Sequence, residues 1–154
     1  MKRMVLITLA LIIGYPFVMP FAHAGAAETN STLPTVLQTG LALWVKNGAD
    51  FALETWPKGG ILEGDRKVNV LKNYFRRMDR TLGNYQSSEL LESKSIGQTS
   101  RVLYLAMNFQ RGAVYARFHL YRTEKGWVVQ NMDFSTRPEA IMPWLAFEGG
   151  KYDE

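Results

Sequence analysis

The stretch RVLYLAMNFQRGAVYARFHLYRTEKGWVVQNMDFS, residues 101–135, decides the fold. Its apolar residues recur at every second position, the period of a β-strand. In 101–109, Leu103, Leu105, Met107 and Phe109 share one face, and Val102, Tyr104 and Ala106 share the other. A strand apolar on both sides belongs inside a sheet. In 113–122, Val114, Ala116, Phe118 and Leu120 form the apolar face, opposite Tyr115, Arg117, His119 and Tyr121. Residues 126–135 make the last strand. The links QRG and TEKG are too short for a crossover, so consecutive strands must be antiparallel neighbours.

Upstream, YQSSELLESKSI (85–96) reads as a polar, half-buried strand, joined to the next by GQTS. Before it the period becomes helical. From Leu33 onward, Leu37, Leu41, Trp44, Val45, Gly48, Phe51, Ala52 and Trp56 fall on one stripe, which predicts a single core helix. Thr32 is its expected N-cap, Pro34 sits in the first turn, and Pro57 with Gly59 and Gly60 closes it. A second helix is expected from Asp65 to Leu82, with Val68, Leu71, Phe75, Met78 and Leu82 facing the core and Gly83 ending it. The predicted class is α+β: two N-terminal helices on a curved four-stranded antiparallel meander, a cone-like half barrel. In the tail, a short helical turn at Glu139–Met142 should let Trp144, Leu145 and Phe147 pack back on the domain.

The first residues bear on destination. Lys2 and Arg3 precede the apolar run MVLITLALII, and Ala22, His23 and Ala24 frame a cut before Gly25. This is the three-part pattern of a cleaved signal peptide. The expected organisation is therefore a signal at 1–24, a loose leader at 25–32, one domain at 33–148 and a free tail at 149–154. Export to the periplasm is expected, with full secretion as the alternative. Removing Lys2 and Arg3 lowers the formal +4 charge, and export disfavours nucleic acid as a partner.

The chain contains no cysteine. That removes thiol chemistry and thiolate metal sites, and leaves stability to packing. His119 is the one histidine outside the expected signal, so a histidine-based metal cluster within one chain is excluded. No calcium-type loop and no G-x-S-x-G turn occurs. No metal or cofactor is expected.

The stretch RFHLYRTEKGWVVQNMDFS resembles the final hairpin of ketosteroid-isomerase-like domains, the nuclear-transport-factor-2-like superfamily. The matching residues are Arg117, Phe118, Leu120, Tyr121, Gly126, Trp127, Val128, Phe134 and Ser135. The order of elements agrees from about Leu33 to Ser135. The resemblance implies helices held in the concave side of a bent sheet, a cavity between them, and an outer sheet face that serves some members as a dimer interface. No catalytic residue of the family transfers to this chain.

Three sets of candidate residues follow. Trp44, Phe51, Leu103, Met107 and Phe118 would line a cavity for a small apolar or amphipathic ligand. Tyr104, Tyr115, Arg117, His119 and Tyr121 would form an outer face, most simply pairing two copies of the chain, because tyrosine and arginine combine contact area with hydrogen bonds. Lys72, Arg76, Arg77 and Arg80 on the second helix could meet an anionic partner or a lipid surface. A non-catalytic binding or interaction module is the reading these sets favour. The alternative is a proton-transfer enzyme of isomerase or dehydratase type, drawing on Glu89, Asp133, Tyr104 and Tyr115. Strict alternation would put Asp133 on the same side as Trp127, Val129 and Asn131.

Overall fold

A computed structural model describes residues 33–146. The expected signal peptide and leader, the expected Thr32 cap, Phe147 and the expected free tail lie outside the described residues. Within them the chain is α+β, with a four-stranded antiparallel sheet in the order β1-β2-β3-β4. The strands are β1 (Tyr85–Ile96), β2 (Ser100–Phe109), β3 (Gly112–Thr123) and β4 (Gly126–Ser135).

The predicted single first helix is two helices, α1 (Thr35–Asn47) and α2 (Ala49–Thr55). Gly48 separates them at φ 91, a conformation that glycine adopts at little cost. The break resets the helical phase. Leu37, Gly40, Leu41 and Trp44 stay inside on α1, while Ala49, Ala52 and Leu53 turn inward on α2. Val45 and Phe51, assigned to the buried stripe by continuous periodicity, are instead exposed. Pro34 occupies the N-cap position of α1.

The third helix, α3 (Arg66–Leu82), forms where the pattern places it. The Asp65 side chain accepts a 2.6 Å hydrogen bond from the Lys67 backbone N–H, and Gly83 at φ 79 ends the helix. Val68, Leu71 and Phe75 are buried along it.

The core lies between these helices and one face of the sheet. Leu103, Leu105, Met107, Val114, Ala116, Phe118 and Leu120 point into it. Aromatic rings fill its middle. Trp44 meets Phe75 edge-on at 4.5 Å, Trp56 meets Phe118 at 4.9 Å, and Phe75 meets Phe134 at 4.8 Å. Gly40 lets the Trp56 indole lie against α1, where its N–H reaches the Leu37 carbonyl oxygen at 3.4 Å.

β2 and β3 pair without interruption from Ser100↔Tyr121 to Phe109↔Gly112. The outer strands each carry extra residues. Gln86 and Leu91 are unpaired bulges on β1, and Gln130 is one on β4. The Gln130 bulge shifts the facing of β4. Val129 lies inward before it, and Met132 and Phe134 lie inward after it. Asp133 therefore stands on the face opposite Val129, which corrects the strict alternation.

After β4 the chain folds back over the outer face of the sheet as α4 (Pro138–Ile141) and a 3-10 turn (Pro143–Ala146). Ile141 and Met142 bury Val102 and Tyr104 in a second, smaller apolar cluster, with Tyr115, Trp144 and Leu145 at its margin.

Candidate functional site

The three predicted residue sets meet different fates. Trp44, Leu103, Met107 and Phe118 do gather in the interior, but as packed core, each at most 3% exposed. Phe51 is not with them; it is 50% exposed on α2.

The outer row is divided. Tyr104 is 8% exposed beneath the returning C-terminal segment, with the Trp144 ring edge-on at 4.8 Å. The Lys94 ammonium caps the same Trp144 ring at 4.1 Å. Arg117 is held by Asp133, its Nη2 2.9 Å from Asp133 Oδ2. Lys67 on α3 supplies a second cation, 2.9 Å from Asp133 Oδ1, and also donates to Asn131 Oδ1 at 2.6 Å. Asn131 Nδ2 donates to Asp133 at 3.0 Å. Burial alone would raise the Asp133 carboxyl. The hydrogen bonds and charges of Lys67 and Arg117 outweigh it and hold the group below the usual carboxylate range. His119 beside this cluster is pushed down by burial and by Arg117, against the opposing pull of Asp133. Tyr121 is 38% exposed at the end of the row.

On α3 the basic face is partly answered by acids of α2. Lys72 pairs with Glu54 at 2.5 Å and Arg76 with Asp50 at 2.6 Å. Burial raises the Tyr74 hydroxyl above its ordinary value, against a smaller lowering by Arg77. The Arg80 carbonyl accepts from Arg111 at 3.0 Å.

The groups named for proton transfer do not converge on the interior. Asp133 stands outside with its oxygens engaged, and Tyr104 lies under Trp144. Glu89 pairs across the sheet with Ala106, an outward position, and accepts from Asn108 at 2.9 Å. No Asp or Glu is buried among the described residues.

A different site appears where the inward rows of the sheet run out. Continuing the row of Leu103 on β2, that of Leu120 on β3 and that of Val129 on β4 leads to Arg101, Arg122 and Trp127. These are neighbours across the ladder through Arg101↔Leu120 and Arg122↔Trp127. With Ser95 of β1 and the first turn of α1, from Thr35 to Gln38, they border a solvent-open, largely polar depression of about 540 Å³. The opening lies at the end of the core, between helix start and strand ends. Its volume falls within the range of small-molecule sites, roughly 300–1,000 Å³.

Its electrostatics are one-sided. Arg101 and Arg122 line it, and no carboxylate does among the described residues. The Arg101 guanidinium carbon lies 5.5 Å from the centre of the Trp127 ring. Arg101 Nε is buried and has no hydrogen-bond partner among the described residues.

Sequence reasoning passed over this opening, although its signal was present. Arg101 and Arg122 have the same parity as the core residues that follow and precede them. Two arginines on the apolar faces of adjacent strands mark the place where a core opens to solvent. No known protein family, curated protein or solved structure matches the chain.

Proposed function

We propose that this chain is an exported, periplasmic, single-domain binding module of ketosteroid-isomerase-like shape, a half-barrel cone that takes a small amphipathic ligand at its mouth. Export is supported by Lys2, Arg3, the apolar run and the Ala22-His23-Ala24 cut site. The cone is supported by the helices packed on one face of a four-stranded meander with bulged outer strands. The observation that carries the binding reading is the opening bounded by Arg101, Arg122 and Trp127 beside the packed core. The interior first assigned to a ligand is occupied by the rings of Trp44, Trp56, Phe75 and Phe118, so the ligand belongs at the mouth.

The test is a 1H–15N NMR screen of the mature domain with a library of small amphipathic fragments. Binding at the mouth shifts the amides of Ser95, Ser100 and Arg101 and the Trp127 indole N–H. Fragment shifts confined to the outer face, or none from any fragment, would reject the reading.

A second reading is self-association through the outer sheet face, confined to the part that the C-terminal segment leaves open. Ile96 and Tyr121 support it, being 60% and 38% exposed in one outward row through Ser100. Light scattering on the mature protein and on Tyr121→Ser tests it; a monomer at high concentration in both ends it.

A further inference from the structure

We infer that the mouth selects small molecules with an oxyanion head and a flat apolar body, an inference that rests on the binding reading above. Four features of the site converge on this ligand class.

The first is charge. Two guanidinium groups, Arg101 and Arg122, line the opening, and no Asp or Glu joins them among the described residues. Elsewhere several basic residues are answered: Lys67 and Arg117 by Asp133, Lys72 by Glu54, and Arg76 by Asp50. At the mouth the two arginines stand in each other's neighbourhood with no carboxylate among the described lining residues.

The second is hydrogen-bonding capacity. Arg101 Nε is enclosed and unpaired. The two terminal nitrogens of a guanidinium also form a fork that matches the two oxygens of a carboxylate or phosphate. A neutral amide offers a single acceptor and brings N–H donors that meet only other donors. A cationic head meets two like charges.

The third is the wall. The Trp127 ring lies beside Arg101, and Leu33 and Pro34 contribute apolar surface to the same opening. A flat body can lie along the indole while its head reaches Arg101.

The fourth is the neighbouring helix end. Thr35 and Gln38 of α1 border the opening, and no side chain caps the start of that helix. The positive end of its dipole adds to the field of the two arginines. This reinforces the sign of the site and does not define it.

The experiment holds the ligand body constant and varies the head. Phenylacetate, phenyl phosphate, phenylacetamide and phenethylamine are titrated calorimetrically into the mature domain, its Arg101→Gln and Arg122→Gln variants, and an Arg101→Lys variant. The expected result is binding of at least one oxyanion at least tenfold tighter than the amide, with no measurable binding of the amine. Whichever of phenylacetate and phenyl phosphate binds tighter identifies the head group. Arg101→Gln should weaken the oxyanion at least tenfold, and Arg101→Lys should recover only part of it because an ammonium lacks the fork. Raising the salt from 0.05 to 0.5 M should weaken the oxyanion and leave the amide unchanged. Equal binding of amide and oxyanion at the mouth would overturn the inference while the binding reading stands. If none of the four binds, the inference also falls, and the fragment screen decides the binding reading by itself. Thermal unfolding of each variant shows whether it is folded, and Arg122→Gln offers a second route should Arg101→Gln be lost.

Discussion

Arg117 on β3 and Asp133 on β4 face each other across the ladder, with Arg117 Nη2 2.9 Å from Asp133 Oδ2 and the other carboxylate oxygen taken by Lys67. One carboxylate thus ties two strands to the start of α3. Asp133→Asn should lower stability by about 1–2 kcal/mol at neutral pH, a figure discounted for partial exposure. The Asp133 carboxyl is held below its ordinary range, so its stabilisation is present above the unfolded pKa of about 3.9 and is lost as acid protonates it in the fold. Urea unfolding at pH 7 and pH 3 should show the gap between wild type and variant closing at the lower pH. An equal gap at both would refute the assignment.

His119 titrates the other way from a partnered histidine. Burial and Arg117 disfavour its charged form, so its midpoint should lie below the ordinary value of about 6.5. The unfolded chain then takes up a proton that the folded one refuses, and stability falls as pH drops below about 6.5. His119→Gln should flatten that slope. Imidazole NMR shifts give the midpoint directly, and a value above the ordinary one would contradict the environment described.

Gly40→Ala should be among the most damaging single-methyl changes. A Cβ there would fall within the Trp56 indole, which is fully buried. Overpacking of this kind costs at least about 2 kcal/mol, to be read from thermal or urea unfolding. A variant as stable as wild type would mean that Trp56 does not lie against α1.

Phe51→Ser and Phe118→Ala separate a surface phenylalanine from a core one. With half of its surface already in water, Phe51 should tolerate the change within about 1 kcal/mol, whereas Phe118→Ala should cost about 3–5 kcal/mol. Denaturant midpoints decide, and comparable losses would restore Phe51 to the interior.

Trp144→Ala should loosen the C-terminal segment from the sheet. The indole supplies the edge-on contact with Tyr104 and the surface under Lys94, together worth about 1–2 kcal/mol. Hydrogen exchange should quicken across residues 138–145 and leave the β2–β3 amides protected. Unchanged exchange would show that the segment is held by Ile141 and Met142 alone.

What could be read beforehand, and what could not, divides along physical lines. Alternation in 101–122 located β2 and β3 and the inward set led by Phe118, because a strand with one apolar face states its own facing. Asp65 and Gly83 marked α3 because caps are local chemistry. The break at Gly48 was not legible, since its neighbours fit a continuous helical stripe and only the backbone turn reveals the change of phase. The bulge at Gln130 was equally hidden, because one unpaired residue leaves the composition of β4 untouched while reversing the facing of Asp133. The outer row was legible as a row, but its partial cover by Ile141, Met142 and Trp144 depends on where the tail travels. The mouth was missed because arginine on a strand reads as a solvent residue until its parity is compared with the core.

The bulges at Gln86, Leu91 and Gln130 all fall on the two rims of the sheet, while the central β2–β3 ladder runs unbroken. An open sheet offers each rim as a template on which a foreign strand can nucleate. Here an incoming chain finds the spacing of donors and acceptors interrupted on both sides, and beside β4 it also meets the Lys67 ammonium. The irregularities that bend the sheet thus also deny a foreign strand a matching template along either rim.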